Sequence, residues 1–176
     1  MNFIENQFKR IIYVLPRILL VSIFFLYVVF AFLSYFDYFE PYLYPLALIR
    51  GKAYPVSHTL IMGPYPHYSE MKMLKAKYGV AAMVSLLNDH LPQEKALYER
   101  EQRDAETLGL KTFSFPLGYV PLQSESNKKR LKELAAFLRS RGTQVMYIHC
   151  YLGKHRVSFV REGLLEEGII DKPDAR

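Results

Sequence analysis

From Ile18 to Phe36 the chain runs for about 19 residues without a charge, mostly in Leu, Ile, Val, Phe and Tyr, long enough to cross a bilayer as a helix. The domain that the rest of the chain can build has little interior for a helix so apolar on every side. A cleaved signal peptide fits poorly, because the run is too long and no small-residue cleavage site follows it. The expectation is a single-pass, uncleaved anchor, with the apolar residues 11–16 extending it and Arg17 snorkelling to the interface. Tyr35, Tyr38, Tyr42 and Tyr44 stand where an interfacial aromatic belt would lie. Lys9, Arg10 and Arg17 precede the run, whereas Arg50 and Lys52 follow it. That bias favours the N-terminus in the cytoplasm and the remainder of the chain outside.

The segment 40–49, with Pro41 and Pro45, reads as a linker lying on the membrane or on the domain. Beyond Arg50-Gly51-Lys52 the composition is that of a soluble domain, so residues 1–52 are taken as anchor and linker and 53–176 as the domain. Within it, 58–62 reads as a strand, and Ser69 is placed to cap a helix reaching Tyr78. The apolar run Val80 to Leu87 has the length of a buried strand. Pro92 opens a helix to Leu108 with Leu97, Ala105 and Leu108 inward and its charged residues solvated. A strand over 111–115 follows, then a helix over 124–141 with Leu131, Leu134, Ala135 and Leu138 on one face. A strand over 144–148 comes last. Alternating strands and helices argue for an α/β sandwich whose central strand feeds a site.

That site begins at the chain's one cysteine. The sequence His149-Cys150-Tyr151-Leu152-Gly153-Lys154-His155-Arg156 runs from an apolar strand through a tight turn into an apolar-patterned helix. Such a turn points backbone N–H groups inward and adds the positive end of the helix, which makes a cradle for a dianion. The same field favours the thiolate, the form of sulfur that attacks phosphorus. Arg156 supplies a planar fork for two phosphate oxygens, and Gly153 permits a backbone angle that a Cβ resists. The backbone of Tyr151, Leu152, Gly153, Lys154, His155 and Arg156 would form the phosphate nest, with His149 fixing the loop. Most free cysteines are simply small buried hydrophobes. Average residue usage, however, makes this His, Cys, Gly and Arg spacing a coincidence of roughly one in ten thousand.

His149-Cys150-x-x-Gly153-x-x-Arg156 resembles the signature of the cysteine-dependent protein tyrosine phosphatases, and the small domain resembles their dual-specificity branch. That branch has members acting on proteins, on phosphoinositides and on phosphatidylglycerophosphate. A weaker likeness runs through residues 60–66 and 80–87. The resemblance implies a dual-specificity-phosphatase-like central sheet flanked by helices. It also implies hydrolysis of a phosphate monoester through a cysteinyl-phosphate, with no metal and no cofactor.

The chain departs from that family in three places. The resemblance implies an aspartate acid on a loop about thirty residues before the cysteine, yet residues 116–123 hold no carboxylate. Asp89, at a strand end of the same sheet, is a substitute, although a turn-capping role competes with it. Glu125 and His90 are weaker candidates, and His155 either donates a proton or adds positive charge. Val157 stands where the family carries Ser or Thr, with Ser158 next. The chain ends about twenty residues beyond Arg156, where the family carries further helices. This implies a domain short at its C-terminus, with one sheet face under-packed.

A net charge of +6 and a pI near 9.3 suit an anionic substrate or membrane surface, and no like-charge block suggests a nucleic-acid tail. One cysteine excludes intrachain disulfides and a multi-cysteine metal site. The substrate expected is a phospholipid head group or a phosphotyrosine- or phosphoserine-bearing protein, for which Lys154 and His155 add positive charge. The competing reading is a pseudophosphatase that binds phosphate without turning it over.

Overall fold

The computed structural model describes residues 2–39 and 49–171, with side chains described from Tyr13 onward. Residues 40–48 of the linker expected over 40–49, with Tyr42 and Tyr44 among them, lie outside the described residues.

Helix α1 (Asn2–Ser34) is continuous through Pro16. Its segment Tyr13–Ser34 has a mean hydropathy of 2.4 over its most apolar window, none of it buried, and is long and apolar enough to cross a membrane. The apolar helix thus reaches back past Ile18 to Tyr13. A short helix α2 (Phe36–Phe39) follows after a single turn residue.

A short strand β1 (Tyr54–Pro55), absent from the sequence reading, comes first, and the remaining elements alternate as expected: β2 (Leu60–Pro64), α3 (Tyr68–Tyr78), β3 (Ala82–Ser85), α4 (Pro92–Thr107), β4 (Lys111–Ser114), α5 (Glu125–Ser140), β5 (Met146–Cys150) and α6 (His155–Glu166). The five strands lie in the order β1-β2-β5-β3-β4, with β1 antiparallel to β2 and the rest parallel. β5 therefore occupies the middle of the sheet, flanked by β2 and β3.

Several boundaries differ from the sequence reading, and three of them have a clear local reason. The strand expected at 58–62 begins at Leu60, because the Val56 and Ser57 amides both donate to the Leu60 carbonyl and close a turn. α3 starts ahead of Ser69, which lies inside its first turn. His67 takes the cap position, where its amide donates to Glu70 Oε2 at 2.8 Å. β5 starts at Met146 because residues 141–144 are spent on the turn after α5, where the Gln144 amide donates to the Arg141 carbonyl.

Side chains of the parallel strands alternate between two cores, as the strand period requires. Leu60, Met62, Ala82, Val84, Met146 and Ile148 pack on α5 and α6 through Leu134, Leu138, Val157, Val160 and Leu164. Ile61, Met83 and Tyr147 point the other way, onto Met71 and Leu74 of α3 and Ala105 of α4. The face expected to be under-packed is thus closed by α3 and α4. A third cluster, of Tyr65, Leu87 and Leu97, meets Phe36 of α2 and Tyr151 of the turn after β5.

Candidate active site

Cys150 ends β5 and is 3% exposed. Its strand is held on both sides: it pairs with Pro64 of β2, while the neighbouring His149 carbonyl accepts the Leu86 amide at 2.8 Å. The turn 151–154 then leads into α6, whose first-turn amides have no partner inside the helix. Gly153 sits at φ 67°, and a Cβ there would fall 2.3 Å from the Pro64 backbone nitrogen. Only a glycine lets the turn lie this close to β2. From outside, the Gly51 amide donates to the Leu152 carbonyl at 2.8 Å and the Tyr65 amide to the Tyr151 carbonyl at 3.1 Å. Arg50 reinforces that strap by donating to the Tyr65 carbonyl and by pairing with Glu70 at 3.0 Å. Lys154 and His155 are exposed.

Arg156, in the first turn of α6, is 2% exposed. Its Nη1 donates to the Leu86 carbonyl at 2.9 Å, the Leu117 carbonyl at 3.3 Å and Glu94 Oε2 at 2.9 Å. Its Nη2 donates to Glu94 Oε1 at 2.5 Å and to the Tyr119 hydroxyl at 2.9 Å. The Tyr119 ring lies 4.2 Å from the guanidinium carbon, and its hydroxyl donates in turn to Glu94 Oε1. Burial alone would make Arg156 easier to deprotonate. The Glu94 bond and charge outweigh it and raise the guanidinium pKa, with smaller contributions from Tyr119 and Cys150. The guanidinium thus stays charged in its buried place.

His149 is fully buried, and its Nε2 lies 3.0 Å from Oε1 of the equally buried Glu101. Its ring stacks on Tyr147 and meets Tyr65 edge-on. The hydroxyl of Tyr147 donates to the Pro64 carbonyl at 2.7 Å. The residue that precedes the cysteine is thus fixed from three directions.

Glu94 and Glu101 are the site residues that the sequence reading missed. Both belong to the α4 charges assigned to a solvated face, yet they are 2% and 0% exposed. Their spacing carried the signal: Glu94, Leu97, Glu101, Ala105 and Leu108 form one continuous stripe at helical intervals, so the carboxylates share the inward face.

The acid candidates fall elsewhere. Asp89 and His90 occupy an exposed turn and line a hollow with Phe30 and Ser34 of α1. Glu125 is exposed at the start of α5 and pairs with Lys128 at 2.8 Å, which lowers its pKa. Val157 is fully buried, whereas Ser158 is exposed to solvent. Among the described residues, no group of three or more His, Cys, Asp or Glu is arranged to hold a metal.

The sheet, whose central parallel strand carries a cysteine into a helix-capped turn with an arginine in that helix's first turn, has the fold of solved structures described as phosphatases. Among solved structures, the chain is similar to the core catalytic domain of the PP-IP phosphatase SIW14 from S. cerevisiae in complex with citrate. There the identity is 18% and the TM-score 0.51, over 64% of this chain and 63% of that one. It is also similar to a DUF442 protein from Shewanella putrefaciens CN-32, at 16% identity and a TM-score of 0.56, over 72% of this chain and 78% of that one. No family model and no curated protein matches the chain.

Proposed function

We propose that this chain is a membrane-anchored phosphatase that cleaves phosphate monoesters through a cysteinyl-phosphate on Cys150. The observation that carries the reading is the placement of Cys150 at the end of β5, in a turn closed by α6, with a buried and charged Arg156 behind it. The likeness of fold to SIW14 agrees with it.

In the first step the Cys150 thiolate attacks phosphorus while the amides of residues 151–156 hold the equatorial oxygens. Arg156 adds charge-assisted hydrogen bonds that strengthen as charge spreads over those oxygens. Glu94 keeps the guanidinium plane fixed, so little reorganisation is needed when the phosphoryl group arrives. In the second step water attacks the cysteinyl-phosphate and the thiolate leaves.

On this reading residues 1–52 anchor the chain, residues 53–176 form the phosphatase-like domain, and the basic-residue bias puts that domain outside the cytoplasm. The anchor confines the substrate to the membrane neighbourhood. Phe36, two residues beyond the span, meets Tyr151 of the phosphate turn with ring centroids 5.9 Å apart. Arg100 and Arg103 of α4 hold Asp37 through its carbonyl and carboxylate at 2.6 and 3.5 Å. That closeness to the end of the span favours a phospholipid head group over a phosphorylated protein.

A second reading, a phosphate-binding pseudophosphatase, is favoured by Val157, which puts no hydroxyl beside Arg156 to help expel the thiolate. An aryl phosphate separates the two, because its good leaving group barely needs an acid. Turnover by the detergent-solubilised wild type, lost in Cys150→Ser, supports the enzyme; tight phosphate binding without turnover supports the module. Phosphate release from a panel of phospholipids and phosphopeptides then sorts the substrate, and a preference for peptides would overturn the lipid assignment.

A further inference from the structure

The geometry points to Tyr119 as the proton donor to the leaving oxygen, an inference that rests on the phosphatase reading above. Cleavage of an alkyl phosphate monoester needs a proton at that oxygen, and the carboxylates and histidines considered for the role are placed elsewhere. Asp89 and His90 face the end of α1, Glu125 is spent on Lys128, and Glu94 is committed to Arg156. Tyr119 differs in that its hydroxyl touches the buried arginine itself, 2.9 Å from Nη2.

The loop that presents Tyr119 is built to hold it. Asn127, 3% exposed, accepts from the Gly118 amide at 2.9 Å and donates to the carbonyls of Gly118, Pro121 and Leu122. One buried side chain therefore clamps the backbone on both sides of the tyrosine. Burial, and then the bond to Glu94, push the phenol pKa up, while the Arg156 charge pulls it down. The proton is thus present at neutral pH, and a cation stands ready beside the phenolate that remains once it leaves.

One Nη2 proton of Arg156 is given to Glu94 and the other to Tyr119. A phosphoryl oxygen that takes up the latter comes within reach of the same hydroxyl. The sulfur–phosphorus bond then forms as the bond to the leaving oxygen breaks, and the phenolic proton turns from Glu94 Oε1 and passes to that oxygen. In the second step water gives its proton to the phenolate as it attacks phosphorus. The sulfur–phosphorus bond breaks, and both thiolate and phenol are restored.

The test is Tyr119→Phe in the full, detergent-solubilised chain, which keeps the ring over Arg156 and removes the hydroxyl alone. Hydrolysis of para-nitrophenyl phosphate is compared with that of an alkyl phosphate such as glycerol phosphate. The alkyl-to-aryl rate ratio is expected to fall by about 10²-fold or more relative to wild type, the range of general acid catalysis. Across substituted aryl phosphates the rate should depend more steeply on the leaving group. An equal loss on both substrates, complete loss included, or no change in the ratio would overturn the assignment. Cys150→Ser keeps the two claims apart: a wild type with no turnover, or one whose turnover survives Cys150→Ser, refutes the phosphatase reading itself.

Discussion

Glu94 sets its two carboxylate oxygens 2.9 and 2.5 Å from the two terminal nitrogens of Arg156, in a pair whose side chains are 3% and 2% exposed. Removing one partner of such a pair strands a charge in the interior. Glu94→Ala is expected to cost about 3–5 kcal/mol of stability, read as a lower urea midpoint. Glu94→Gln keeps the shape and some hydrogen bonds, so it should unfold closer to wild type while phosphate binds more weakly to a less firmly held guanidinium. Equal stability of Glu94→Ala and wild type would contradict the pairing.

Gly153 tests the turn itself. Its left-handed backbone and the 2.3 Å approach of a would-be Cβ to Pro64 leave Gly153→Ala no unstrained solution. Gly168 shares the backbone angle, at φ 65°, but faces open space. Gly168→Ala should therefore cost about 1 kcal/mol, whereas Gly153→Ala should abolish turnover and phosphate binding while the rest of the sheet stays folded. Retained activity in Gly153→Ala would show that the turn does not lie against β2.

Alkaline pH should unfold the domain through the buried phenol of Tyr147. Burial raises its pKa above the ordinary value of 10.0. The folded protein therefore keeps a proton that the unfolded chain releases above pH 10. Stability is full below that point and falls above it, by about 1.4 kcal/mol per pH unit while the phenol stays protonated in the folded state. Urea titrations from pH 8 to 11 check this. Tyr147→Phe should flatten the decline while lowering stability near neutral pH by about 1–3 kcal/mol, because the Pro64 carbonyl loses its donor.

Phe36 links the segment that follows α1 to the turn after β5. Its edge-on contact with Tyr151 falls in a class worth about 0.5–1.5 kcal/mol. Phe36→Ala should raise the KM for a soluble aryl phosphate by about 2- to 10-fold, with little change in the urea midpoint. An unchanged KM would mean that the contact does not hold the turn.

Much of this was legible in the sequence. The apolar run from Val80 to Leu87, the helical spacing of Leu131, Leu134, Ala135 and Leu138, and the spacing from His149 to Arg156 are local patterns, and they made the element order and the loop readable. What escaped was set by tertiary contact. Glu94 and Glu101 look like surface charges until a buried cation and a buried imidazole are found opposite them, although their place on the Leu97 and Ala105 stripe was visible. Tyr119 had no signal of its own, since a tyrosine in a loop acquires its role only when Asn127 fixes that loop and Arg156 meets its oxygen. The cover that α3 and α4 give the second sheet face was likewise hidden, because it depends on which way each helix crosses the sheet.

The most direct test is acid quench of the protein during turnover of a phosphate ester labelled with radioactive phosphate, followed by peptide mapping. The account predicts label on the peptide containing Cys150 and none in Cys150→Ser, which should also have lost turnover. Turnover that proceeds with no labelled Cys150, or that persists in Cys150→Ser, would contradict it.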